Sequence, residues 1–125
     1  DWAIHTMGHE LTAFYGIDHA RTLAIIAPRL YENQFENKKE KLAQYGKRVW
    51  NLTGDDESIA RKSIELTEDF FQSLGIETKI SSYTKVDTNF ADTLQKRFEE
   101  RGWIAMGERQ AITTSDVREI VKKAI

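Results

Sequence analysis

Along most of the 125-residue chain, apolar side chains return every three or four positions, and glycines cut the pattern into helix-sized lengths. Ile4, Met7, Leu11 and Phe14 form one stripe between Asp1 and Tyr15, stopped at Gly16. Asp18 is placed to cap a second helix, His19 to Tyr31, which is apolar on nearly every side between Leu23 and Ala27. Pro28 is expected to kink or break it. Leu42, Tyr45, Val49 and Leu52 mark a third helix, Asn37 to Leu52, whose other face carries Lys, Arg and Glu. Asp55 and Asp56 suit a helix N-terminus, and Ile59, Ser63, Ile64, Thr67, Phe70, Phe71 and Leu74 carry a stripe up to Gly75. Phe90, Leu94 and Phe98 repeat it between Asn89 and Arg101, and Thr113-x-x-Asp116 opens a last helix with Val117, Ile120, Val121 and Ala124 inward. The β-branched stretch Ile76 to Tyr83 has no partner of similar character and reads as an extended connection. The sum is six helices and no sheet, a single all-α bundle over residues 1–125. Trp50, Phe70, Phe71, Phe90 and Phe98 are expected in its core, and Trp103 to Gly107 either packs on the bundle or covers surface that another domain would bury.

Composition narrows the function classes. Eighteen Lys and Arg stand against 20 Asp and Glu, spread along the chain, which argues against nucleic acid or an anionic membrane as partner. No apolar run approaches the ~20 residues that span a bilayer. The absence of cysteine removes disulfides and thiolate sites and suits a cytoplasmic protein. The chain opens at Asp1, inside the first helical stripe and without a leader pattern, so a fragment of a larger protein is expected. The first helical turn is then liable to fray.

The one concentrated chemical signal is histidine: His5, His9 and His19 are the only three, all within the first 19 residues. His5 and His9 are spaced i,i+4, which puts both rings on one helix face. The turn Gly16-Ile17-Asp18 would return His19 beside them, and neutral imidazoles so grouped can share a metal ion. The plainer alternative is surface or packing histidines. A zinc-protease motif does not fit, because Thr6 follows His5 and Ala13 stands where His9-Glu10 would need a second His. Spacing leaves open whether all three or only some are ligands.

The run from Ala3-Ile4-His5-Thr6-Met7-Gly8-His9-Glu10 through Gly16-Ile17-Asp18-His19-Ala20 to Ile25 resembles the metal-binding signature of the iron-containing (group III) alcohol dehydrogenases. It is most similar to the butanol dehydrogenase and NAD(P)H-dependent aldehyde reductase branch, and the likeness continues through Tyr45 to Asn51 and to the chain end. Thr6 and Asp18-His19-Ala20 depart from the family's broader pattern, in residue type and not in histidine spacing. The resemblance implies the C-terminal part of a dehydroquinate-synthase-like helical domain, following a nucleotide-binding domain that this sequence lacks. It implies metal ligation by His5 and His19, completed by an Asp and a His from upstream, and a place for His9 facing substrate and nicotinamide. His9 could there relay a proton, imidazole being the side chain that changes charge nearest neutrality, or serve only in packing. The implied cofactors are a divalent metal, Fe(II), Zn(II) or Ni(II), and NADH or NADPH. The implied partners are an aldehyde or alcohol substrate and a second subunit in a homodimer.

Three functions follow as expectations: part of a metal-dependent alcohol dehydrogenase or aldehyde reductase, a stand-alone three-histidine metal module, or a helical interaction domain with incidental histidines. Under the first, the isolated chain is expected to be inactive and to hold metal weakly or not at all.

Overall fold

The stripes become helices where side-chain caps and left-handed glycines sit at their ends. The computed structural model describes residues 1–125 and has six α-helices: α1 Trp2–Tyr15, α2 His19–Asn33, α3 Phe35–Val49, α4 Asp56–Ser73, α5 Phe90–Glu100 and α6 Thr114–Ala124. Asp18 and Asp55 accept backbone N–H groups of Arg21 and Ser58, and Thr113 with Asp116 forms a reciprocal capping box on α6. Gly16 ends α1 at φ 68°, its N–H on the Thr12 carbonyl.

Two apolar centres result. The larger is built by α1, α2, α5 and α6, with Met7, Leu11, Ile25, Leu30, Phe98 and Ile120 wholly enclosed. Each such side chain contributes about 1.5–3 kcal/mol by leaving water. The smaller joins α3 and α4 through Phe35, Leu42, Ala43, Ile59, Ala60 and Ile64, and Tyr31 packs against both centres. Gly46 sets the approach of α3 to α4, since a Cβ there would stand 2.6 Å from Ile59 Cγ2. No helix is long and apolar enough to cross a membrane.

Several expectations need correction. A small sheet exists: β1 Ala105–Met106 pairs antiparallel with β2 Ile112–Thr113, strands of two residues, too short to show an alternating pattern. Pro28 does not break α2, because buried neighbours from Ala24 to Leu30 hold the helix together around it. The Ile76 to Tyr83 connection contains a 3-10 turn at Ile80–Ser82, anchored by Ile80 in the larger core. Phe90 and Phe98 are core, but Phe70 is exposed and Trp50 and Phe71 only half-buried. The buried face of α4 ends at Thr67, so the stripe runs on beyond the packed region onto the surface. Finally, the first turn of α1 is not left open: Asp1 caps it, its side chain accepting the Ala3 N–H.

Candidate metal centre

The corner between α1 and α2 is built by small contacts that leave little freedom. Gly8 lies where α1 meets α2, and a Cβ on it would come within 2.7 Å of Thr22 Oγ1. Thr22 is wholly buried and its hydroxyl donates to the His19 carbonyl at 2.8 Å. Across the turn, the Thr12 hydroxyl donates to the Ile17 carbonyl at 2.8 Å, and the Gly16 N–H reaches Thr12 O at 2.9 Å. These ties bring His19, the first residue of α2, back over the α1 face that carries His5 and His9.

All three histidines meet there. The His5 and His19 ring centroids are 5.1 Å apart, His9 and His19 5.5 Å, and His5 and His9 6.3 Å. One nitrogen from each ring falls within 4.8 Å of the others. Imidazoles bound to one tetrahedral ion stand about 2.0–2.1 Å from it and so about 3.4 Å from each other, hence the rings have to turn inward to share one. The donor set is imidazole alone, which suits Fe(II), Zn(II) or Ni(II). His5 is half-buried, whereas His9 and His19 are exposed, so the centre opens to one side.

Two features of this corner escaped the sequence reading. The Trp2 indole stacks on His5 with centroids 4.7 Å apart and planes 21° apart, although Trp2 is otherwise exposed. An aromatic three residues before the first histidine is on the same helix face and was the available signal. Glu10, directly after His9, turns inward and its buried carboxylate pairs with the partly exposed Arg97 at 2.7 Å and with Arg101. It is engaged in docking α1 onto α5.

Two hollows flank the rings. A groove of about 390 Å³ is lined by Trp2, Thr6, His9, Glu10, Trp103 and Met106. A more apolar one of about 420 Å³ lies against His5, with Leu23, Ala27, Tyr31, Phe71 and Ile76 among its walls. The exposed rings of Trp2 and Trp103 thus stand around His9.

The family model for the C-terminal part of the Fe-containing alcohol dehydrogenases matches residues 1–125. This chain belongs to that family. It is 43% identical over 125 residues to the NADPH-dependent aldehyde reductase YqhD of Escherichia coli K12, a match covering 99% of the chain and 32% of the relative. It is 32% identical over 126 residues to the NADH-dependent butanol dehydrogenase A of Clostridium acetobutylicum, covering 98% of the chain and 32% of that protein. Among solved structures, the substrate- and cofactor-free aldehyde reductase YqhD of E. coli superposes with a TM-score of 0.92 at 42% identity, over 100% of this chain and 33% of that one. A butanol dehydrogenase A from Thermotoga maritima shares the fold, with a TM-score of 0.87 at 22% identity over 99% of this chain and 33% of its own. The chain therefore spans about a third of the length of the relatives it matches.

Proposed function

We propose that this chain is the C-terminal helical part of a larger, metal-dependent oxidoreductase that transfers a hydride between NADH or NADPH and an aldehyde or alcohol. The observation that carries the reading is the convergence of His5, His9 and His19 at the α1–α2 corner, in a chain of this family. Its relatives include an NADPH-dependent aldehyde reductase and an NADH-dependent butanol dehydrogenase, which supports this reaction class and leaves the choice of nicotinamide open.

In this reading His5 and His19 hold a divalent ion through neutral ring nitrogens, and the remaining ligands come from sequence before Asp1. What such an ion supplies when bound is Lewis acidity toward a carbonyl oxygen. The chain's own work is to aim and shield. The Gly8 to Thr22 approach sets the distance between the two ligand-bearing helices. Trp2 covers one face of His5 and limits its rotation. His9 lies outside the ligand set, on the groove that Trp2 and Trp103 border, where a proton on its ring nitrogen can pass to the aldehyde's carbonyl oxygen as hydride reaches the carbonyl carbon, giving the alcohol and neutral imidazole. Nicotinamide binding in this reading falls to residues outside this chain, which spans about a third of the length of its relatives.

The full-length protein, supplied with Fe(II) or Zn(II), should oxidise NADH or NADPH in the presence of short-chain aldehydes and stop on chelation. The 125-residue chain alone should leave the nicotinamide absorbance flat. Sustained cofactor oxidation by the isolated chain, or none by the full-length metal-loaded protein across an aldehyde series with both cofactors, contradicts the reading.

A further inference from the structure

The start of α1 holds a buried carboxylate that the proposed chemistry does not use. The Asp1 side chain is only 2% exposed. Its Oδ1 accepts the Ala3 N–H at 2.9 Å, and its Oδ2 receives Lys38 Nζ at 2.9 Å and the Glu108 N–H at 3.1 Å. Lys38, on α3 and itself 10% exposed, also reaches the Glu108 carboxylate at 2.8 Å. Lys38 thereby holds the Glu108 carboxyl below the usual glutamate range. A carboxylate so enclosed relies on these partners to offset its loss of hydration. One residue thus joins three elements: the first turn of α1, α3, and the loop between β1 and β2.

That loop is an unusual one to hold. Arg109 and Gln110 have φ of 58° and 54°, a left-handed conformation disfavoured for residues with a Cβ. Gly107, at φ 72°, lies so close that a Cβ on it would be 2.7 Å from Asp1 Oδ1. The carboxylate is seated against the loop backbone. The neighbouring Met106 lines the groove that contains His9. In the other direction His5 is four residues from Asp1, one helical turn along the same face, and both line the apolar hollow.

We propose that Asp1 is a positioning residue for the metal centre: its carboxylate locks the first turn of α1 to α3 and to the groove loop, and so fixes the aim of the His5 ring. The proposal rests on the reading of His5 as a ligand. It is tested in the full-length protein with Co(II) as the probe, through chelator competition and the visible absorption bands that report ligand geometry. Asp1→Ala should bind Co(II) at least tenfold more weakly and alter those bands. Lys38→Met, which strips Asp1 of its cation, should act in the same direction, and Lys62→Ala, in the exposed pair with Glu65, should match the wild type. Should Asp1→Ala fail to fold, Asp1→Asn keeps the helix cap while removing the charge, and takes its place. A fall in Tm with Co(II) affinity within twofold of wild type and unchanged bands overturns the proposal. His5→Ala run in parallel separates the two ideas: if it binds Co(II) like the wild type, the ligand assignment itself has failed.

Discussion

The pairs α1–α2 and α3–α4 are assembled in the same way, each drawing two helices together over a glycine whose Cβ would collide with the partner, Gly8 with Thr22 and Gly46 with Ile59. Only the first brings the three histidines together. Its connection is three residues long and tied by Thr12, so the start of α2 is held against α1 and delivers His19 to the other two rings. The second uses the connection from Trp50 to Asp55 and finishes in a small apolar centre with Ser63 and Thr67 returning their hydroxyls to backbone carbonyls one turn earlier. Close approach therefore makes the scaffold in both. A site arises where a short turn also forces polar residues of both helices onto one exposed face.

The pairs are bridged by Asp1 with Lys38 and by a second enclosed ion pair, Arg29 of α2 with Glu68 of α4. Arg29 Nη1 donates to Glu68 Oε2 at 2.7 Å, Nη2 donates to Oε1, and the Thr78 hydroxyl adds a bond to Oε1 at 2.6 Å. These partners, the Arg29 hydrogen bonds foremost, hold the Glu68 carboxyl below the usual glutamate range.

Three substitutions break or sharpen the comparison, and the largest effect is expected at the pair without histidines. Gly46→Val should destabilise the chain by about 3 kcal/mol, since Ile59 and its carbonyl leave no room and overpacking is not relieved by flexible ends. Urea denaturation measures this, and while the Asp1–Lys38 contact is kept, metal affinity of the full-length protein should stay well above that of a histidine variant. A loss of metal binding as severe as that of a histidine variant would show that the pairs are not independent.

At the bridge, Glu68→Gln should cost about 2 kcal/mol at neutral pH, the worth of a charge-assisted bond in a largely enclosed setting. Because the folded-state carboxyl titrates lower than in the unfolded chain, its contribution is fully present above the ordinary glutamate pKa, about 4.3, and is lost as the pH falls through the lower folded value. Wild type and Glu68→Gln should therefore converge in stability on acidification. Parallel stability curves down to that range would show that the carboxylate charge contributes nothing.

The smallest change in stability is expected from Gly8→Ala, about 1 kcal/mol, because removing a helix-interior glycine offsets part of the clash with Thr22. Its effect on metal should be out of proportion, since the clash pushes apart the helices carrying His5 and His19. Metal affinity unaltered in Gly8→Ala would mean that the helix approach does not set the ligand spacing.

Much of this architecture was written in local patterns. Met7, Leu11, Leu94, Phe98, Val117 and Ile120 lie at helical spacing and are fully buried or nearly so, and the Thr113–Asp116 capping box appears where the motif placed it. The meeting of the histidines was legible for the same reason: it depends on one helix, one glycine stop and one turn. What was not legible depended on partners far along the chain. Phe70 and Trp50 have core spacing, yet where the packed face of α4 ends is decided by tertiary neighbours. Asp1 with Lys38 and Glu108, Glu10 with Arg97 and Arg101, and Arg29 with Glu68 all join residues tens of positions apart, and nothing in a single sequence marks which charges will be enclosed. The two-residue strands carry no periodicity at all.

The division of labour among the three histidines is the central claim, and metal stoichiometry set beside turnover tests it most directly. In the full-length protein, His5→Ala and His19→Ala should each lose most of the bound metal and with it activity. His9→Ala should retain a full complement of metal and turn over at least a hundredfold more slowly, as expected for loss of a general acid. If His9→Ala instead loses metal as completely as His5→Ala does, all three rings are ligands and the assignment of His9 to proton transfer is wrong.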